Sequence, residues 1–323
     1  MVETVNIMDR VDETHRKVLN AIPDDFLDLS DIEATRARFD EVQAKLVVPL
    51  PDDVTTEDRM VPGSEGDPEV MVRLYRPEGL EAGGPAFYWI HGGGMVLGHV
   101  ADSDAKCAKI ASKLGVLVAS VEYRLAPEHP FPAPVEDCYA GLKWLADSAD
   151  ELGIDPSRIA IGGASAGGGL AAGLALLARD RGEVDISFQL LIYPMLDDRN
   201  TTASSQAITD PKVWNRQANL DGWDAYLGGG AGGDDVSIYA APARATDLAG
   251  LPPTYLNVGD LDLFLDEDMA YAKALGAAGV PCELHVYPGA FHGSDSFVSR
   301  SSLSRRWIAE EREALKRALF PDG

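Results

Sequence analysis

The amino-acid sequence predicts a layered α/β fold in which a mostly parallel central sheet is flanked by helices. Two observations carry the prediction. Short apolar runs of strand length alternate with helical segments along most of the chain. Those runs are apolar without alternation, as strands buried between two helical layers must be. A length of 323 residues with 46% hydrophobic side chains supplies material for a sizeable core.

Residues 9–22 and 31–45 read as helices ahead of the sheet. The second is opened by Ser30 as N-cap, a short hydroxyl that can satisfy a free backbone N–H. Val70–Tyr75 and Ala86–Ile90 read as strands, followed by a helix near 103–114 and the apolar strand Gly115–Val121. A helix over Val135–Ala146, a strand over Arg158–Ile161, a helix after Ser165 and a strand over Phe188–Tyr193 continue the alternation. Between Asp197 and Pro252 it breaks. That insertion holds a helix at Pro211–Tyr226 and the tract Gly228–Gly233, whose composition fits a surface loop or a mobile pocket edge. The pattern resumes with the strand Thr254–Val258, a helix over Asp266–Ala278, the strand Cys282–Tyr287 and a final amphipathic helix carrying Trp307, Leu315 and Leu319. No internal repeat is present.

Composition excludes several classes of function. The net charge of −24 repels nucleic-acid phosphates and anionic membrane surfaces, so no nucleic-acid partner is expected. No stretch reaches the roughly 18 consecutive apolar residues of a spanning helix, so integral membrane association is not expected. The charged N-terminal segment lacks the apolar core of a secretory signal, and the expected location is cytoplasmic. Three scattered cysteines, Cys107, Cys138 and Cys282, fit reduced thiols rather than a disulfide framework or a zinc site. With no HExxH, no paired Cys/His cluster and no dinucleotide fingerprint after the first strand, neither cofactor nor metal is implied.

The chemistry begins at Gly163-Ala164-Ser165-Ala166-Gly167, a G-x-S-x-G sequence placed where a strand ends and a helix opens. A chain with 32 glycines meets the bare motif cheaply, so the placement is the informative part. A sharp strand-to-helix turn strains the serine and tolerates only small neighbours, which presents the Ser165 hydroxyl at the sheet edge. A serine attacking an acyl carbon creates an oxyanion. Donors for it are offered by His91-Gly92-Gly93-Gly94, whose glycines allow close backbone approach by the N–H groups of Gly93 and Gly94, and by the N–H of Ala166 at the start of the following helix.

The serine also needs a base. Of six histidines, His15 lies in the N-terminal helix, His91 and His99 flank the glycine loop, His129 sits in a proline-rich segment and His285 is inside a strand; these read as structural or solvent-facing. His292 follows the last strand at the edge where such sheets bind ligands, and is the expected base. The carboxylate that orients it should precede it in the chain, in Gly259-Asp260-Leu261-Asp262. Position alone leaves Asp260 and Asp262 equivalent, while Asp266 and Asp268 are expected to cap the helix that follows.

With these motifs assembled, the chain resembles the bacterial hormone-sensitive lipase family of esterases over nearly its whole length. The family's H-G-G-G loop matches His91–Gly94, its Y-R-L-A-P-E-H-P-F-P-A block matches Tyr123–Ala133, and its final H-G matches His292-Gly293. Its D-P-x-x-D motif matches Asp262–Asp266 with Leu263 in place of proline, which assigns the triad acid to Asp262. Ala164 stands where the family usually has Asp or Thr, and Ser294 where phenylalanine is common.

The resemblance implies an α/β-hydrolase core over 46–198 and 246–323 and a helical cap formed by 1–45 and 199–245. It implies a serine carboxylesterase acting on small-molecule esters with short to medium acyl chains, and a homodimer among the expected states. Lactones, amides and carbamates are within reach of the same triad. A receptor or a dehydratase on this fold is the reading from another class, and the intact set Ser165, Asp262 and His292 argues against it.

Overall fold

The computed structural model describes residues 4–45 and 48–321. Leu46 and Val47, where the expected boundary between N-terminal segment and core falls, lie outside the described residues, as do Met1–Glu3 and Asp322–Gly323. Eight strands form one sheet: β1 (Val54–Val61), β2 (Val70–Pro77), β3 (Gly84–Ile90), β4 (Leu117–Glu122), β5 (Ile154–Ala164), β6 (Phe188–Ile192), β7 (Thr254–Leu261) and β8 (Cys282–Phe291), in the order β1-β2-β4-β3-β5-β6-β7-β8. β2 runs antiparallel to both β1 and β4, and every pairing from β4 onward is parallel. The mostly parallel sheet between helical layers is therefore as the sequence predicts.

The unbroken apolar runs have a direct cause. In β3, Ala86, Tyr88 and Ile90 point into the apolar cluster on one face, and Phe87 and Trp89 into the cluster on the other. The helices Asp104–Leu114 and Ser302–Leu319 cover the second face through Cys107, Ala108, Trp307 and Leu315. The helices Ala133–Asp147, Ala166–Arg181 and Leu265–Ala277 cover the first. β3 thus sheds water from both sides, at about 25 cal/mol per Å² of apolar surface buried.

The helix expected over 9–22 is two short ones, Ile7–Arg10 and Glu13–Ala21, the strand expected over Arg158–Ile161 runs from Ile154 to Ala164, and the helix expected at Pro211–Tyr226 begins only at Arg216, where the Asn215 side chain caps it. Three further elements depart from the sequence reading. β1 was not expected, because V-T-T-E-D-R-M-V buries only its two terminal valines; it is an edge strand held by its pairing with β2, in which Asp58 faces Arg73. The helix expected from residue 31 spans Ile32–Gln43, and its N-cap is Asp31 rather than Ser30: the Asp31 carboxylate accepts from the Ala34 N–H at 3.0 Å. Ser30 instead lies inside a short 3-10 turn, Leu29–Asp31, that absorbs the chain reversal. β8 runs on to Phe291 rather than ending at Tyr287, with a register irregularity opposite β7 between Gly259 and Leu261.

The N-terminal helices and the insertion share a single apolar cluster with the sheet: Ile7, Val11, Leu19 and Phe26 are in it with Val213, Trp214 and Trp223. They also meet each other, through Lys212, whose ammonium lies 2.8 Å from Asp24 and donates to the carbonyl of Ile22. Within the insertion, the Gly228–Gly233 tract is anchored, since the Gly232 N–H donates to Asp198 at 2.6 Å. Asp198 also receives two bonds from the guanidinium of Arg244, at 2.6 and 2.9 Å. Its side chain is fully buried and that of Arg244 is 13% exposed. Among the described residues no helix is long and apolar enough to cross a membrane.

Asp198→Ala leaves the Arg244 guanidinium buried without a counter-charge and the glycine tract without its anchor. A loss of about 3–5 kcal/mol is expected in urea unfolding. The exposed pair Glu41–Lys45 serves as contrast, and Glu41→Gln should leave the urea midpoint unchanged within error.

Candidate active site

Ser165 stands alone between the end of β5 and the helix Ala166–Arg181, at φ 58° and ψ −122°. This backbone conformation is unfavourable for a residue with a Cβ, and close packing imposes it. A side chain at Gly163 would run into the carbonyl of Gly167, and one at Gly167 into the carbonyls of Ile90 and His91, so β3, β5 and the helix can meet only where both positions are glycine. The turn is also tied to β6 and the segment after it. The Ser165 N–H donates to Ile192 O at 2.9 Å, and the Ser165 carbonyl accepts from Met195 N–H at 3.0 Å.

His292 directly follows β8, and its Nε2 lies 2.9 Å from the Ser165 hydroxyl. Its Nδ1 lies 2.7 Å from Asp262 Oδ2. A carboxylate can only accept, so Nδ1 carries the proton and Nε2 turns a lone pair toward the serine. Asp262, just beyond β7, is 1% exposed and also accepts from the Phe264 N–H at 3.0 Å. The two carboxylates that position left equivalent occupy different places. Asp260 faces away, accepting from the Arg10 guanidinium at 2.7 Å and the Gly289 N–H at 2.6 Å.

Asp266 and Asp268 correct the expectation that they cap the following helix. Its N-cap residue is Phe264, and the first-turn N–H of Asp266 donates to the Ser204 hydroxyl at 3.1 Å. Asp266 accepts instead from the Ser204 N–H across the interface with the insertion, while neither oxygen of Asp268 meets a partner among the described residues. Asp268 is wholly buried because its position on the helix points inward with Tyr271 and Leu275. Burial, reinforced by Glu267 and Asp262 nearby, pushes its carboxyl well above the usual range. Sequence reasoning missed Glu267. It is likewise buried, and its carboxyl accepts from the N–H groups of Leu196 and Asp197, pinning the segment whose Met195 supports the nucleophile turn.

Three aromatic rings surround the imidazole: Tyr193 at 4.7 Å, Phe264 at 5.1 Å and Trp214 at 6.5 Å between centroids. None was singled out in the sequence, since only the folded chain brings the insertion's Trp214 beside His292. The glycine loop runs beside it. Gly93 and Gly94 have φ of 121° and 63°, and the benzo edge of Trp214 fills the space a side chain on Gly94 would need. The backbone N–H groups of Gly93 and Gly94 have no acceptor among the described residues, and the Ala166 N–H belongs to a first helical turn, which lacks intrahelical acceptors.

The other histidines lie apart from Ser165. His91 is buried, stacked on Tyr123 at 4.2 Å, and burial lowers its pKa, which keeps it neutral. His15 is buried against the hydroxyls of Ser301 and Ser304, at 2.8 and 3.2 Å. His99 and His285 sit among surface carboxylates, and His129 is exposed. Of the two departures from the family pattern, Ala164 is half-buried behind the nucleophile. Ser294 is fully buried, and its carbonyl faces the Ser304 hydroxyl of the last helix.

Residues 87–296, well over half of the chain, match the model of a family described as alpha/beta hydrolase fold. Carboxylesterase NlhH of Mycobacterium tuberculosis is 36% identical over 315 residues, covering 96% of each chain. Esterase LipI of the same organism is 35% identical over 285 residues, 88% of this chain and 87% of its own. Among solved structures, a bacterial heroin esterase superposes with a TM-score of 0.93 at 46% identity, covering 97% of this chain and 99% of that one.

The buried Asp268 predicts a pH dependence of stability. Its pKa is raised in the folded state, so its contribution is fully present below the ordinary carboxyl pKa of 3.8 and is lost as pH rises above it. Asp268→Asn removes that linkage. Its urea midpoint should exceed that of the parent at pH 7, and the gap should shrink as pH is lowered toward 4.

Proposed function

We infer that this chain, which belongs to the α/β-hydrolase family and is a carboxylic ester hydrolase of the bacterial hormone-sensitive lipase type, cleaves its esters through an acyl-enzyme on Ser165. The observation that carries the mechanism is the continuous chain from the Ser165 hydroxyl through His292 to Asp262, with contacts of 2.9 and 2.7 Å. As the hydroxyl attacks the acyl carbon, His292 Nε2 takes its proton, and the buried Asp262 carboxylate stabilises the imidazolium while holding the tautomer. The carbonyl oxygen becomes an oxyanion and receives the N–H groups of Gly93, Gly94 and Ala166, which are placed before the reaction starts. The tetrahedral species collapses as His292 returns the proton to the departing alcohol. Water, deprotonated by the same imidazole, then attacks the acyl-enzyme, releases the acid and restores Ser165.

We assign the cap role to 1–45 and 199–245, on the contacts of the N-terminal helices and the insertion with each other and on the position of Trp214 against both Gly94 and His292. An indole beside the oxyanion donors, together with a Ser165 that is 7% exposed, leaves limited room next to the reacting carbon. Esters with short to medium acyl chains fit that room best.

The test is a series of aryl esters of graded acyl length, read with Ser165→Ala beside the parent. Activity should fall with increasing acyl length, Ser165→Ala should lose on the order of 10⁶-fold in kcat, and Asp262→Asn about 10⁴-fold. An aryl organophosphonate should phosphonylate Ser165, adding the mass of the phosphonyl group as the aryl oxide departs. An adduct elsewhere, or hydrolysis surviving in Ser165→Ala, overturns the mechanism; a flat acyl series overturns the substrate assignment alone.

A further inference from the structure

The oxyanion loop has an unusual backbone: Gly93, Gly94 and Met95 lie in succession at φ of 121°, 63° and 62°. Glycine adopts such angles freely, whereas Met95, a fully buried residue with a Cβ, does so only under strain. The surroundings must therefore over-determine the loop, and the contacts show how. The Gly93 carbonyl accepts from the N–H groups of Val96 and Leu97 at 3.1 and 2.8 Å, which closes the turn from within. From outside, the Ala126 N–H donates to the Met95 carbonyl at 2.9 Å, and the Tyr123 hydroxyl donates to the His91 carbonyl at 3.0 Å. One further brace comes from a residue that no sequence motif marks.

Arg36, on the helix Ile32–Gln43, donates through Nε to the Val96 carbonyl at 2.8 Å and through one terminal nitrogen to the Ala126 carbonyl, also at 2.8 Å. The same fork holds Glu128 through both carboxylate oxygens, at 2.6 and 2.9 Å, and that pairing draws the Glu128 pKa down to about 2. One rigid, planar cation thus links the oxyanion loop to the Tyr123–Ala133 segment beneath it. Lysine, with a single point of attachment on a flexible stem, cannot span these acceptors.

We propose that Arg36 is a positioning residue for the oxyanion hole, and that docking of the helix Ile32–Gln43 sets the loop in its donating conformation. The proposal rests on the acyl-enzyme reading above, since only an anionic intermediate requires those donors. Arg36 touches no reacting atom. Its effect therefore belongs in the transition state rather than in substrate binding, because a loop displaced by a fraction of an ångström still admits the ester but aims its N–H groups poorly.

The experiment uses the full chain with Arg36→Met, Arg36→Lys and Glu128→Gln, and kcat is expressed per active site titrated with an aryl organophosphonate. Arg36→Met should lose roughly 10- to 100-fold in kcat per titrated site with KM within about twofold. An aryl trifluoromethyl ketone, whose hemiketal oxygen mimics the oxyanion, should bind more weakly by the same factor. Arg36→Lys should recover part of the loss, and Glu128→Gln should lose less than Arg36→Met because both carbonyl bonds survive it.

A purely structural role would lower the titrated fraction and leave kcat per site unchanged. That result, or a loss confined to KM, overturns the proposal. Should Arg36→Met fail to fold, Arg36→Lys decides by the same criterion: parental kcat per site overturns, and a loss shared by kcat and ketone affinity supports. A parent enzyme that hydrolyses esters without labelling at Ser165 removes the acyl-enzyme reading and this one together. Normal labelling with unaffected Arg36 variants removes only the brace.

Discussion

The turn at Ser165 is the constraint around which the rest of the molecule is arranged. A non-glycine residue at φ 58° and ψ −122° persists only if its surroundings leave no alternative. Here β3, β5 and the helix after β5 approach so closely that neither Gly163 nor Gly167 could carry a side chain. The hydroxyl projects from the carboxyl edge of the parallel sheet as a consequence. That edge is where β3 delivers the glycine loop, β7 delivers Asp262 and β8 delivers His292, so four strand ends bring these groups together and the sheet's register fixes their spacing.

Behind the triad lies an acidic interior that a hydrophobic-core argument would not anticipate. Asp262, Glu267, Asp268 and Asp295 are all nearly or fully buried. Three of them have identifiable work: Asp262 holds His292, Glu267 holds the segment supporting Ser165, and Asp295 accepts from the hydroxyl of Tyr193, whose ring packs against His292. Asp268 meets no partner among the described residues.

Legibility differed by the range of the interaction. The parallel strands were readable because burial on two faces leaves an apolar run in the sequence itself, and Ser165 and the glycine loop were readable because tight turns restrict residue type locally. β1 was invisible because an edge strand with six unburied central residues carries no such run; its pairing partner, not its composition, makes it a strand. The N-cap at Asp31 rather than Ser30 was a choice between adjacent residues that both suit the role, decided by the short turn before the helix.

What the sequence by itself determined is the α/β layering, the strained turn at Ser165, the glycine loop and a histidine following the last strand, each a local consequence of residue size, polarity or backbone freedom. Position left Asp260 and Asp262 equivalent, and the family motif chose Asp262, the one the fold sets against His292; only the tertiary structure decided that Trp214 closes over the glycine loop, and that Arg36 grips the loop from a helix 60 residues away from Val96. The reason is that these contacts join segments with no common local pattern. Which arginine meets a carbonyl depends on where a distant helix docks, which no short stretch of residues encodes.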